Sequence, residues 1–390
     1  MARMLYLDNN ATTRPADSVV EIMQRALTDL WQNPSSIHRA GQRVRQQVEL
    51  AREQVAQLIG ARDREIVFTS GGTEAANLAI LGTAAMLPDR RVVVSSKLEH
   101  SAVRETVEGL GRDGRETIWL PHGPGGVIDL DALRNVLHER AADIAIVSIM
   151  WVNNETGVVQ PVREIGALCR EHGVRFHTDA VQWVGKAGTA VHDQPVDLLS
   201  FSAHKFHGPK GIGGLYVRHG VRIGKRTIGG PQERERRGGT ENVPGILGMG
   251  EAARLALQWL RDEQAAAAPA ALHDRFERAL LDAVPDAVVN GAGADRMWTT
   301  SNIAFPHLEA ESILLLLSER GVCAAAGAAC SSGSLEPSPV LLAMGVPEDR
   351  AHGSVRFSLS RETTGEAIDQ AAEIIPAAIA RLRGTMTTAS

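Results

Sequence analysis

Cysteine is scarce in this chain, with three residues among 390. So few exclude a disulfide framework and suit a reducing compartment. Cys169, Cys323 and Cys330 form no C-x-x-C pair, which argues against a preformed zinc or cluster site. Long apolar runs are missing too. The longest, Ile144 to Val152, is broken by Ser148 and falls far short of a bilayer span. Met1 to Asp8 lacks the extended apolar stretch of a secretion signal, so a cytoplasmic location is expected. Neither sign of charge is in large excess. The 41 Lys and Arg against 46 Asp and Glu leave −5, too mild for a nucleic-acid or membrane-surface binder. What is present, 44% apolar and 22% charged residues, is ordinary globular composition. The length accommodates a large core and a second, smaller domain.

Short β-branched runs alternate with helix-sized segments through the first two thirds. Glu65–Thr69, Arg91–Ser95, Ile144–Ile149, Val174–Thr178, Asp197–Ser202 and Gly214–Val217 read as strands. Ser18–Leu30, Val44–Leu58 and Val162–Glu171 read as helices. This alternation predicts an α/β architecture with a mostly parallel sheet. Near residue 260 the texture turns Ala-rich, with closely spaced helices and short strands beyond, and a domain boundary is expected there.

Six places along the chain carry chemistry. Ser70-Gly-Gly-Thr-Glu74 joins a strand to a helical segment from Ala75. Its glycines and the helix N-terminus suit a phosphate, with Thr73 adding a hydroxyl, although a plain strand–turn–helix corner would read the same. Asp179 ends a strand, where α/β ligand sites gather, and could equally cap the next helix. Lys205 is delivered from a strand onto a Gly-rich turn between Ser202, His204 and Gly214, a setting for a functional lysine. Lysine, carboxylate and phosphate cradle together suggest pyridoxal phosphate. Lys205 and Asp179 are 205 − 179 = 26 residues apart, one crossover between parallel strands. His100 lies after another strand and could stack on a flat ring. Arg356, inside an apolar strand pattern, needs an anion: a substrate carboxylate or a structural salt bridge. Cys330, among Ala, Gly and Ser, is expected on a mobile, exposed loop, while Cys169 and Cys323 lie in apolar stretches and are expected to be buried.

With these motifs in place, the chain resembles a cysteine desulfurase of the class-V aminotransferase family, pyridoxal-phosphate fold type I. It is most similar to the nitrogen-fixation (NifS-type) group. The resemblance rests on Tyr6–Thr13, Asn33–His38, Thr69–Glu74, Glu99-His100, Val152–Gly157, Phe176–Gln182, Ser200–Gly214, Gln232–Val243, Cys330–Pro337 and Val355–Arg361. It departs only at Ala326 and Ala328, where relatives often have serine. The resemblance implies a large cofactor domain over residues 15–260, and a smaller α+β domain from 1–14 and 261–390 carrying the cysteine loop. It implies that Lys205 links covalently to the cofactor, Asp179 pairs with the pyridine nitrogen, His100 stacks on the ring and Gln182 bonds the phenolic oxygen. Gly72, Thr73, Ser202 and His204 would hold the phosphate, with Thr240 reaching it from the partner of a homodimer. Asn154 and Arg356 would orient the substrate carboxylate. Cys330 would take sulfur from L-cysteine as a persulfide, leaving L-alanine, and pass it to an acceptor or iron–sulfur scaffold protein, with nitrogenase maturation as one destination. No resident metal is implied, Cys330 being at most a transient iron–sulfur ligand. A selenocysteine lyase or an aminotransferase of the same fold is the alternative, the latter having no need of Cys330. A non-enzymatic scaffold is disfavoured by intact Lys205, Asp179, Arg356 and Cys330.

Overall fold

The computed structural model describes residues 4–327 and 336–387. In chain order the strands are β1 (Leu5–Tyr6), β2 (Ile66–Thr69), β3 (Val92–Ser95), β4 (Glu116–Trp119), β5 (Ile144–Ser148) and β6 (Arg175–Asp179). They continue with β7 (Leu198–Ser202), β8 (Gly213–Val217), β9 (Val288–Val289), β10 (Thr300–Ala304), β11 (Val322–Cys323) and β12 (Ser354–Ser358). Helices α1 (Asp17–Thr28), α2 (Arg39–Ile59), α3 (Gly72–Met86), α4 (Ser101–Arg112), α5 (Leu130–Arg140) and α6 (Val162–Glu171) precede or separate the strands of the large sheet.

That sheet has seven strands in the order β2-β8-β7-β6-β5-β3-β4. From β4 through β7 every pair is parallel, and β8 runs antiparallel between β7 and β2. Helices cover both faces, so β5, β7 and β8 are buried at every position, which is why they read as unbroken apolar runs. The edge strand β4 was not expected. It is exposed or half-buried throughout, so its sequence carries no core pattern. Helix α2 begins five residues before the expected Val44 because His38 caps it, Nδ1 accepting from the Gly41 N–H at 3.2 Å.

Beyond the large sheet, β12, β10 and β9 form an antiparallel sheet, and β1 pairs in parallel with β11. The N-terminal segment joins these late elements: the Ser358 N–H donates to the Leu7 carbonyl at 2.7 Å. Leu5 and Leu7 accordingly share a core with Phe276, Ile303, Phe357, Ile375 and Ile379. A separate core packs α1, α2 and the helix Val243–Arg261 against the large sheet. Helix Glu263–Ala283 contains the Ala-rich stretch and sends Phe276 and Leu280 into the core shared with Leu5. Among the described residues no helix is long and apolar enough to cross a membrane.

Phe276 and Phe357 meet edge to face at 5.4 Å between ring centroids, both fully buried. Phe357→Ala should lower unfolding free energy by about 3–5 kcal/mol, the usual cost of truncating a core phenylalanine. Denaturant unfolding checks this, and a loss below about 1 kcal/mol would show that the site collapses without a cavity.

Candidate active site

A cavity of about 390 Å³ opens at the carboxyl ends of β6 and β7, beside the turns that follow β3 and β5. Such strand-end crevices collect ligands in parallel sheets because side chains leaving several strands converge there. After β7 a short 3-10 turn, Ala203–Lys205, carries Lys205 into the cavity. Lys205 Nζ donates to the carbonyls of Asn10 at 2.5 Å and Ala11 at 3.0 Å. The N-terminal segment therefore forms one wall of the site, a role that sequence reasoning did not give Asn10.

Asp179 ends β6 and caps no helix, because the chain turns at residues 181–183 instead. Its Oδ1 accepts from the Val181 N–H at 3.0 Å, and the carboxylate also lines the cavity. Burial pushes its pKa up to about 6, opposed by the Val181 N–H, the Ser200 hydroxyl and Lys205. His100 caps α4, with Nδ1 accepting from the Ala102 N–H at 3.1 Å. Burial first, then Lys205, Arg104 and Arg356, lowers its pKa to about 4. The ring is thus neutral at physiological pH, and with Nδ1 occupied as an acceptor its proton sits on Nε2. Gly72 and Thr73 open α3, where backbone N–H groups lack intrahelical partners. A Cβ on Gly72 would stand 2.9 Å from Val181 Cγ2, so only glycine lets that helix end approach so closely. His204 faces Thr12 through Nδ1 at 3.2 Å, and burial, with Lys205, Lys210 and Lys186, lowers its pKa to about 4. Gln182 donates from Nε2 to the Asn10 carbonyl at 3.1 Å and accepts on Oε1 from Lys186 at 2.6 Å.

Arg356, on β12, enters the same cavity at 2% exposure. Its NH2 pairs with Asp8 Oδ1 at 2.8 Å, and NH1 donates to the carbonyls of Asn154 at 3.1 Å and Gly327 at 3.3 Å. A structural salt bridge is therefore present, yet among the described residues neither Nε nor the buried Oδ1 of Asn154 has a partner. Asn153 holds this corner in shape, its Oδ1 accepting from the N–H groups of Glu155 and Thr156 and its Nδ2 donating to the Leu98 carbonyl.

The cavity thus gathers Gly72, Thr73, His100, Asn154, Asp179, Gln182, Ser202, His204, Lys205 and Arg356. Thr240 is exposed and does not line it. Cys330 lies outside the described residues; Gly327 and Pro339, on either side of it in the chain, line the cavity. Cys169 is buried as expected, and burial pushes its thiol well up. Cys323 is only partly buried, correcting the expectation: on the short strand β11, Val322 takes the core side. Glu99 and Glu155 are two further lining residues without an assigned role. Glu99 Oε1 accepts from the Met150 N–H at 2.7 Å, and complete burial drives its carboxyl well above the ordinary range. Their signal in the sequence was membership of the Glu99-His100 and Val152–Gly157 motifs. No cluster of metal-ligating side chains occurs among the described residues.

The profile of the family "Aminotransferase class-V" matches residues 5–371. The chain belongs to the class-V aminotransferase family. It is 48% identical over 380 residues to a protein of Nostoc sp. named cysteine desulfurase, covering 97% of this chain and 94% of that one. A solved NifS-like protein superposes with a TM-score of 0.89 at 35% identity, covering 97% and 100% of the two chains. Another, described as SspA in complex with cysteine, gives a TM-score of 0.80 at 33% identity over 92% and 99%.

Class-V aminotransferases work with pyridoxal 5'-phosphate, and the donor set here fits that group. One cavity holds a lysine amine for its aldehyde, a carboxylate for its ring nitrogen, and hydroxyl, ring and backbone donors for its phosphate. Arg356 Nε and Asn154 Oδ1 remain for a further polar ligand. The neutral ring of His100 is directly measurable. Its imidazole nitrogens, followed by NMR from pH 8 to 4, should show no protonation step above about pH 5. A midpoint near the ordinary value of about 6.5 would overturn this account of the ring.

Proposed function

We propose that this class-V aminotransferase is a pyridoxal-phosphate-dependent cysteine desulfurase that converts L-cysteine to L-alanine and keeps the sulfur on Cys330 as a persulfide. The observation that carries this reading is the convergence of Lys205, Asp179, His100 and Arg356 on one strand-end cavity, which Gly327 and Pro339, on either side of Cys330 in the chain, also line.

When bound, the cofactor supplies a protonated pyridine ring that takes up the electrons freed at the substrate α-carbon. The chain's residues prepare that chemistry. Lys205 Nζ, held by the carbonyls of Asn10 and Ala11, is the amine that links to the cofactor aldehyde. The Asp179 carboxylate keeps the proton on the ring nitrogen. His100 lays a neutral ring over the cofactor face. Gln182 has a second amide proton beyond the one given to Asn10, and offers it to the phenolic oxygen. Gly72, Thr73, Ser202 and His204 hold the phosphate, and Thr240 of a second copy completes that hold in a homodimer. Arg356, through the Nε–H that no described residue occupies, and Asn154 orient the substrate carboxylate. Cys330 acts as a thiolate, the nucleophilic form of a group whose free pKa is about 8.5. In the net reaction the carbon–sulfur bond of L-cysteine breaks and a sulfur–sulfur bond to Cys330 forms. The thiol proton of Cys330 ends on the methyl group of alanine. The sulfur gained by Cys330 is oxidised as the β-carbon is reduced, so no outside oxidant is required. The persulfide then passes to an acceptor or scaffold protein for iron–sulfur cluster assembly in the cytoplasm, nitrogenase maturation included.

Cys330→Ser should retain the visible cofactor band and its change on adding L-cysteine, yet form no persulfide and no alanine. Mass spectrometry and an alanine assay check this. Wild-type alanine formation in Cys330→Ser, with loss in Cys323→Ser or Cys169→Ser, would reassign the nucleophile.

Subunit mixing tests the shared phosphate site. Lys205→Ala homodimers should be inactive, and Thr240→Ala homodimers should bind cofactor weakly. A mixed dimer should regain one site with normal affinity and about half the activity, because each subunit of an isologous pair gives what it receives. Free exchange without such a site would remove Thr240 from the partner's cavity.

A further inference from the structure

Lys186 is a buried amine without a part in the reaction. It follows Gln182 on the turns beyond β6. Gly185, just before it, has φ +78°, and a Cβ there would stand 2.5 Å from Phe206 Cβ, so glycine lets this turn press against the lysine turn after β7. The Lys186 backbone is held on both sides, its N–H donating to the Trp183 carbonyl at 3.0 Å and its carbonyl accepting from Trp298 Nε1 at 3.4 Å. The side chain donates from Nζ to Gln182 Oε1 at 2.6 Å and to Asn10 Oδ1 at 3.4 Å. Neither oxygen is charged, and burial, then the charges of Lys205 and Arg356, drives the Lys186 pKa well down. A lysine kept in such a place is costly, and its aim supplies the reason.

The two ends of a glutamine amide have the same shape and differ in what they bond, so their neighbours decide which way the group points. Around Gln182 those neighbours are the Asn10 carbonyl and the Lys186 amine. The carbonyl only accepts, and takes one N–H of Nε2 at 3.1 Å. The amine donates to the other end. Reversed, the amide would set its oxygen against the Asn10 carbonyl oxygen. With Lys186 in place the buried Oε1 is satisfied, and the second N–H of Nε2 is left for the cavity that Gln182 lines. Without the lysine, Oε1 would be buried with no donor, a loss that the amide escapes by rotating its plane.

We propose that Lys186 is a positioning residue that grips the Gln182 amide oxygen and so keeps the second amide N–H aimed at the phenolic oxygen of the cofactor. This rests on the reading of Gln182 given above. A donor on the phenolic oxygen draws charge from it and loosens its hold on the proton of the lysine–cofactor link. When the donor turns away, that proton is held more tightly, and the visible band changes form at a higher pH.

Holoenzyme titrated across neutral and alkaline pH, with the visible band as readout, tests the proposal. Lys186→Met, which keeps the length of the side chain and removes its donor, should move the midpoint up by about one pH unit, the scale of one lost hydrogen bond to a charged group. Lys186→Leu carries the same expectation should the methionine variant not fold. Gln182→Leu should shift the midpoint similarly, and the double variant Lys186→Met/Gln182→Leu no further, because the lysine acts through the amide. Additive shifts would mean that Lys186 acts by charge alone and overturn the proposal, as would an unmoved midpoint in Lys186→Met beside a shifted one in Gln182→Leu. An unmoved midpoint in Gln182→Leu would mean that the reading of Gln182 itself had failed. A cofactor analogue lacking the phenolic oxygen gives a second measurement. Lys186→Met should bind pyridoxal phosphate about tenfold more weakly than wild type, with analogue binding unchanged. Equal losses for both would leave Lys186 a merely structural role.

Discussion

The site depends on one residue being held in place, Asn10. Its backbone carbonyl accepts from both Lys205 and Gln182, on two different strand-end turns of the large sheet. Its side-chain amide donates to the Asn154 carbonyl and to Thr300 Oγ1, and its N–H donates to Ser358 Oγ. One short residue thus ties the lysine turn, the Asn153–Asn154 corner and strands β10 and β12 into a single body. Buried polar networks of this kind are rigid only when each member is satisfied. The Asn10 carbonyl is satisfied by the Lys205 amine and the Gln182 amide, both of which line the cavity.

The same constraint explains why Arg356 can serve a cavity bounded by the large sheet although β12 belongs to another sheet. Asp8, two residues before Asn10, anchors one guanidinium nitrogen, and the Asn154 carbonyl takes another. The fork is aligned by groups from both halves of the chain before any ligand arrives. A cation buried to 2% exposure is tolerable only with such partners.

Much of this was legible in the sequence, and for local reasons. The central strands announced themselves because both faces are covered, leaving β-branched runs such as Ile144–Val147. Lys205 and Asp179 stood out because each sits where a strand pattern stops. Strand β4 was invisible because its half-exposed Glu116–Trp119 carries no core face to read. Asn10 showed only as part of the Tyr6–Thr13 motif and not by its role, since its bonds reach Asn154, Gln182, Lys205, Thr300 and Ser358, between 144 and 348 residues away. The buried contacts of His177 with Ser148 and Ser200 were hidden similarly: they lie across strands, and a histidine within a strand run gives no hint of which neighbours flank it.

The dry, cationic surroundings that keep the ring of His100 neutral have a consequence for the fold as a whole. His177, His204 and His207 share that condition, with pKa values lowered to about 3, 4 and 4 by burial, aided at His204 and His207 by nearby lysine and arginine charges. Once the chain opens, each imidazole returns to an ordinary value near 6.5. Between about pH 6.5 and 4 the unfolded chain therefore binds more protons than the native one, and mild acid draws the protein open. The histidine contribution to stability is whole above that window and drains away as pH falls through it. Neutrality around the cofactor pocket is thus maintained by the same burial that makes the polypeptide acid-labile.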